Sequence, residues 1–185
     1  MNTGAIITFL WVIWAAYWAA SSFGNKRNVY RTSSLWRFSL FLMVVGVLAL
    51  SRSFPAFYHQ RLIPRADSVV LAGTIFCAIG IAFSIWARVI LGRNWSGNPT
   101  IKEGHELIQT GPYRMVRHPI YTGILMALLG TCLASGRTRD LFLFLGVAIL
   151  LAFKLRIEEA LMLRQFPDDY VAYRKRTKAL IPFIL

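Results

Sequence analysis

Acidic side chains are scarce in this sequence. Its 185 residues carry 8 Asp and Glu against 21 Lys and Arg, a formal net charge of +13. Charge of either sign is itself sparse, at 16% of residues against 56% hydrophobic, with a mean hydropathy of +0.51. That balance excludes an ordinary soluble domain and marks a membrane protein. Nucleic acid is excluded as the partner of the positive excess, because the cations flank apolar runs instead of forming a stripe with interleaved aromatics. Histidine is rare, and His59, His105 and His118 have no second ligand at helical spacing, so no metal site is expected. There is no phosphate-binding glycine loop and no serine in a nucleophile elbow. The two cysteines, Cys77 and Cys132, lie inside apolar runs and read as small core residues rather than a disulfide or metal pair. No repeat, low-complexity tract or internal boundary breaks the chain.

What the sequence does contain is apolar residues in five runs, at about residues 4–23, 38–51, 68–91, 119–135 and 141–155. A helix crossing a bilayer needs roughly 20 residues. The second run approaches that length with Phe54 to Tyr58, and the fifth by letting Lys154 and Arg156 snorkel. The expected fold class is therefore all-α: one polytopic membrane domain over 1–185, with three spans in 1–90 and the functional region in 91–185. The first run lacks a basic start, holds Trp11, Trp14, Tyr17 and Trp18, and precedes Lys26, Arg27 and Arg31. It reads as a retained span, with an interfacial first helix as the alternative. The polar turn "SGRTRD", Ser135 to Asp140, predicts an antiparallel helical hairpin between the last two runs. With the N-terminus outside, sixteen cations fall on the inner side and only Arg52, Arg61, Arg65, Arg137 and Arg139 on the outer. The positive-inside rule favours that orientation, with the C-terminus in the cytosol.

Two polar blocks then share the cytosolic side. One is "LGRNWSGNPTIKEGHELIQTGPYRMVRHP", Leu91 to Pro119, expected to be an ordered loop with short helical pieces. The other is the tail from Lys154 to Leu185, expected as an amphipathic helix that bends near Pro167 and restarts around Asp168. Folded together, they would converge His105, Tyr113, Arg117, His118, Tyr121, Glu158 and Glu159. Taken singly these residues have plain readings, Arg114 and Arg117 as membrane anchors and Glu158 with Glu159 as a solvated helix face. Tyr170 and Tyr173, beside Arg174 to Arg176, read as an interfacial aromatic belt. Pro119 fits the first turn of the fourth helix and sets His118 at its N-terminal entrance, where free N–H groups favour a carboxylate.

The stretch "GPYRMVRHPIYTG" followed by "EEALMLRQFPDDYVAYRKRTKALIPFI", together with "NWSG" and "KEGHELIQTGPY", resembles the isoprenylcysteine carboxyl methyltransferase family, integral membrane enzymes related to the phospholipid methyltransferases. The resemblance covers Leu91 to Leu185 and implies an S-adenosylmethionine-dependent enzyme acting on a lipidic or prenylated acceptor drawn from the bilayer. It implies that His105, Glu106, Leu107, Ile108, Tyr113, His118, Pro119, Ile120 and Tyr121 line the cofactor and that Glu158 holds its polar end. Arg117 and Glu159 would face the reacting centre, and Lys154 or Arg156 would meet the acceptor head group. Two positions depart from the family pattern: Pro167 stands where glycine is usual, and Glu106 where an uncharged residue is usual. A carboxyl acceptor is the favoured reading, an aminophospholipid the alternative. Other classes to separate from these are an NADPH-dependent sterol-reductase-like enzyme and a catalytically silent membrane scaffold.

Overall fold

The computed structural model describes residues 3–22, 28–31, 52–97, 100–102 and 106–181, together with positions 38, 42, 43, 45, 46 and 49. His105 lies outside the described residues. The helices are α1 (Thr3–Ser21), α2 (Pro55–His59), α3 (Asp67–Leu91), α4 (Pro119–Ser135), α5 (Thr138–Gln165) and α6 (Pro167–Arg176). The described positions of the second apolar run are helical as well. One element departs from the all-helical expectation: Asn28–Arg31 and Thr100–Lys102 pair as a short antiparallel ribbon. Period-2 alternation is too short in either segment to announce a strand, so the pairing is set by tertiary proximity. The Leu91–Pro119 connection otherwise holds the expected short helical pieces, single 3-10 turns at Gly92–Asn94 and Gly111–Arg114.

The tightest packing joins α3 to α4. Gly73, Cys77, Gly80, Ser84 and Ala87 recur at alternating intervals of four and three on α3, and Gly123, Ala127, Gly130 and Ala134 do the same on α4. A Cβ on Gly80 would stand 2.4 Å from the Ala127 nitrogen, and one on Gly130 would stand 2.3 Å from the Cys77 nitrogen. The two backbones are thus in direct contact, which only small residues permit, and the stripes run antiparallel. Such contact replaces the hydrophobic driving force that is missing between helices in lipid. Cys77 is fully buried in this seam, Cys132 is buried as well, and both are free thiols, as their apolar setting implied. Against the pair lies α1, held by indole N–H bonds from Trp11 to Thr131 Oγ1 (3.1 Å) and from Trp14 to Ser84 Oγ (3.0 Å).

Among the described residues two helices are long and apolar enough to cross a membrane, α1 and α3 with its 3-10 extension, while α4 is apolar but has 17 residues. Their outward faces carry Phe9, Leu71, Ile75 and Ile79, each more than half exposed. A surface of that kind is stable against hydrocarbon and unstable against water. Between α4 and α5 stand only Gly136 and Arg137. Gly136 takes φ 62°, and its N–H returns to the Cys132 carbonyl, closing α4 with a left-handed cap that glycine adopts without a Cβ penalty. The α5 helix runs 28 residues, so its last three turns continue beyond the apolar segment and carry Glu158 and Glu159 back beside the start of α4.

Candidate active site

Everything at the site hangs on the entrance to α4. Pro119 occupies the first helical turn and forces the preceding residue out of the helical region, so His118 sits at φ −123°, ψ 60°. The chain after α6 then returns alongside. Arg117 N–H bonds the Lys178 carbonyl (2.8 Å), His118 N–H the Ala179 carbonyl (3.0 Å), and Thr122 Oγ1 the Leu180 carbonyl (2.7 Å). These bonds staple residues 116–122 to residues 178–180 and fix where the Arg117 and His118 side chains point.

The adjacent glutamates of α5 serve different partners. Glu158 Oε2 accepts a 2.6 Å bond from Tyr121 Oη, and its other oxygen lies 3.7 Å from Lys154 Nζ, one turn earlier. Lys154, buried, also donates to the Gly97 carbonyl at 2.8 Å and so ties the long connection to α5. Glu159 Oε1 accepts from Arg117 Nε at 2.7 Å, with Arg174 Nε 3.7 Å from its second oxygen. Arg117 is braced further by a bond from Nη1 to the Thr177 carbonyl. Burial pushes the Glu159 carboxyl up, but the neighbouring His118 and Arg117 outweigh it and hold the group down to about 2. Of those two, Arg117 has true hydrogen-bond geometry. The His118 Nε2 atom is 3.5 Å from Glu159 Oε1, buried and without a hydrogen-bond partner, and Nδ1 is 3.6 Å from Glu158 Oε2. The imidazole stacks on the Tyr121 ring with centroids 5.3 Å apart.

These groups enclose a cavity whose walls include Glu106, Leu107, Ile108, Tyr113, Arg117, His118, Pro119, Ile120, Tyr121, Lys154 and Glu158. Most of the residues expected from the sequence are therefore in one place. Among the described ones, two are not on the wall. Glu159 stands behind Arg117 instead of at the surface of the cavity, and Arg156 is exposed on the far face of α5. Asn94, Trp95, Leu161, Tyr170 and Tyr173 contribute wall that the sequence reading did not assign. The belt reading of the two tyrosines is corrected: Tyr170 and Tyr173 are 2% and 4% exposed. Tyr173 Oη donates to the Tyr113 carbonyl at 2.6 Å, and burial pushes the Tyr173 phenol up to about 12, so it stays a neutral donor. Their spacing of three, which puts both rings on one face of α6, was the available signal. Charge of both signs therefore meets around one concavity, where the buried His118 Nε2 and Asn94 Oδ1 have no hydrogen-bond partner.

The phospholipid methyltransferase family profile matches residues 68–169. A rice protein (Oryza sativa subsp. indica) described as a probable protein-S-isoprenylcysteine O-methyltransferase is 29% identical over 178 residues, covering 91% of this chain and 88% of its own. The protein-S-isoprenylcysteine O-methyltransferase of Schizosaccharomyces pombe is 34% identical over 113 residues, 59% of this chain and 48% of that protein. A solved structure of a eukaryotic intramembrane Ras methyltransferase, isoprenylcysteine carboxyl methyltransferase, superposes with a TM-score of 0.58 at 22% identity. The superposition covers 84% of this chain and 55% of that one.

Proposed function

The chain belongs to the phospholipid methyltransferase family, and from that premise we propose that it is an integral membrane methyltransferase using S-adenosylmethionine to methylate the carboxylate of a prenylated cysteine. The named relatives are isoprenylcysteine O-methyltransferases, which supports the substrate class. The observation that carries the reading is the opposed pair of charges on the cavity wall, Arg117 at the α4 entrance and Glu158 on α5.

S-adenosylmethionine, when bound, supplies an electrophilic methyl group on a sulfonium, with an ammonium and a carboxylate for the protein to recognise. Glu158, oriented by Tyr121, is the acceptor for the ammonium. His118 lines the same cavity, its Nε2 without a hydrogen-bond partner, and Leu107 and Ile108 give apolar wall for the adenosine. An acceptor carboxylate is ionised at neutral pH and needs no general base, only a cation to hold it. Arg117 is that cation, and Glu159 with the Thr177 carbonyl fixes its plane. Holding two reactants in line in a dry site is worth on the order of 7–11 kcal/mol of barrier in favourable cases.

An aminophospholipid acceptor would have to lose a proton first. Glu159 is poorly suited to take it, being off the wall, bonded to Arg117 and held down to about 2. The reading includes five spans, the last two as an antiparallel hairpin, with the N-terminus outside and the site facing the cytosol. Labelling of cysteines at positions 2 and 185 from opposite sides of sealed vesicles is the expected topology result; labelling from one side would remove it. The activity is tested by offering labelled donor with farnesylcysteine derivatives, phosphatidylethanolamine and a native lipid extract. Label is expected in the farnesylcysteine carboxyl, and label confined to the amine lipid would overturn the acceptor. Titration with S-adenosylhomocysteine and with NADPH separates methyltransferase from reductase, and binding of neither would indicate a scaffold.

A further inference from the structure

At the opposite end of the bundle, some of the chain's cations stand where the positive-inside rule would not put them. Of the five assigned to the outer side, four, Arg61, Arg65, Arg137 and Arg139, line a second cavity of about 770 Å³. Among the described residues the only carboxylate on its wall is Asp140, which pairs with its neighbour Arg139 at 3.4 Å. Arg61, Arg65 and Arg137 have no carboxylate partner among the described residues.

The backbone forces two of them together. Thr138 N–H bonds the Gln60 carbonyl (3.0 Å) and Leu62 N–H the Gly136 carbonyl (2.8 Å), so Arg61 and Arg137 face each other across an antiparallel bridge. Like charges directly opposite one another destabilise a bridge unless an anion lies between them. The Arg61 guanidinium lies over this turn, its Nη2 3.4 Å from where a Cβ on Gly136 would stand. The other wall of the same cavity is apolar, made by Ile7 and Trp11 of α1, Leu128 of α4 and Leu143 of α5. Both α1 and α5 also carry exposed apolar side chains, among them Phe9 and Phe142. Guanidiniums at one end and a groove of apolar side chains at the other match a phosphate attached to an acyl chain.

We propose that this cavity binds an anionic phospholipid, its phosphodiester between Arg61, Arg65 and Arg137 and an acyl chain along Ile7, Trp11, Leu128 and Leu143. The phosphate is the shared chemistry of a lipid head group and of a free phosphate ester; the apolar wall selects the lipid. Near a membrane surface each cation contributes roughly fivefold to binding of an anionic lipid, so three contribute on the order of 100-fold.

The test is native mass spectrometry of the full chain in detergent, incubated separately with phosphatidylglycerol, phosphatidylcholine and soluble glycerol phosphate. Wild type should retain phosphatidylglycerol at least about tenfold over phosphatidylcholine and should not retain glycerol phosphate. R61Q/R65Q/R137Q should lose that preference, R61K/R65K/R137K should keep most of it, and neutralising Arg164 and Lys175 at the other end should leave it unchanged. Should the triple Gln chain fail to fold, the Lys chain and a second variant, Leu128→Trp, still decide: Leu128→Trp should exclude the lipid. Equal retention of the two lipids by wild type, or a preference that survives both R61Q/R65Q/R137Q and Leu128→Trp, overturns the proposal. Retention of glycerol phosphate as strong as that of lipid overturns the acyl part of it.

Discussion

Replacing Glu159 by Gln separates two roles that a carboxylate in this position can play. The side chain is 12% exposed and accepts a 2.7 Å bond from Arg117 Nε. Gln keeps an oxygen for that bond and removes the charge. A hydrogen bond to a charged group is worth about 1.5–3 kcal/mol and a neutral one about 0.5–1.5, so the loss is about 1–2 kcal/mol. If Glu159 acts by holding Arg117 in plane, kcat/KM for a farnesylcysteine acceptor falls about 5- to 30-fold, and the fall is spread between KM and kcat. If it were a general base, the loss would be about 100- to 10,000-fold and confined to kcat. The pH dependence adds an independent reading. The folded carboxyl is held down from 4.5 to about 2. Its stabilising contribution is therefore complete above pH 4.5 and is lost only as the pH falls from there through about 2. The shift corresponds to about 3 kcal/mol at neutral pH. Titration of Glu159 itself therefore adds no limb to an activity profile between pH 5.5 and 8. The assay is transfer of labelled methyl groups in reconstituted vesicles across that pH range. A loss beyond about 1,000-fold, confined to kcat, would refute the positioning role.

Other outcomes follow from single contacts. Tyr121→Phe removes the 2.6 Å bond to Glu158 and leaves a partly buried carboxylate oxygen unmet; titration with S-adenosylhomocysteine should show binding weakened by about 1–3 kcal/mol. Gly130→Val places a Cβ 2.3 Å from the Cys77 nitrogen, where no side chain can rotate away, and thermal unfolding in detergent should fall by the equivalent of at least about 1–3 kcal/mol. If its midpoint matches wild type, the α3–α4 seam is not in direct backbone contact. Truncation after Arg176 deletes the carbonyls of Thr177, Lys178 and Ala179 that hold Arg117 and His118. Methyl transfer should be lost while the helical circular dichroism signal persists; full activity would show that the entrance to α4 is set without the tail.

Length and hydropathy by themselves determined that this chain is helical and built for a membrane, because backbone groups in hydrocarbon must be satisfied within each segment. The stretch from Gly111 to Leu125 and the pair Glu158–Glu159 were legible as a site for the same kind of reason: prolines, cations and acids are costly beside apolar helices and stay only where something uses them. Spacing could say that these two blocks meet, since two residues, Gly136 and Arg137, separate the helices that carry them. It could not say which glutamate faces inward. Adjacent residues on a helix diverge by about 100°, and that rotation puts Glu158 on the cavity wall and Glu159 behind Arg117. The seam of small residues between α3 and α4 was present as a four–three repeat, yet Gly and Ala in apolar helices are common enough that only the packed pair gives the repeat its meaning. Tyr170 and Tyr173 were misplaced at the lipid boundary because cations surround them in sequence. In the fold the tail turns back on the α4 entrance and buries both rings, a long-range contact that no local pattern encodes.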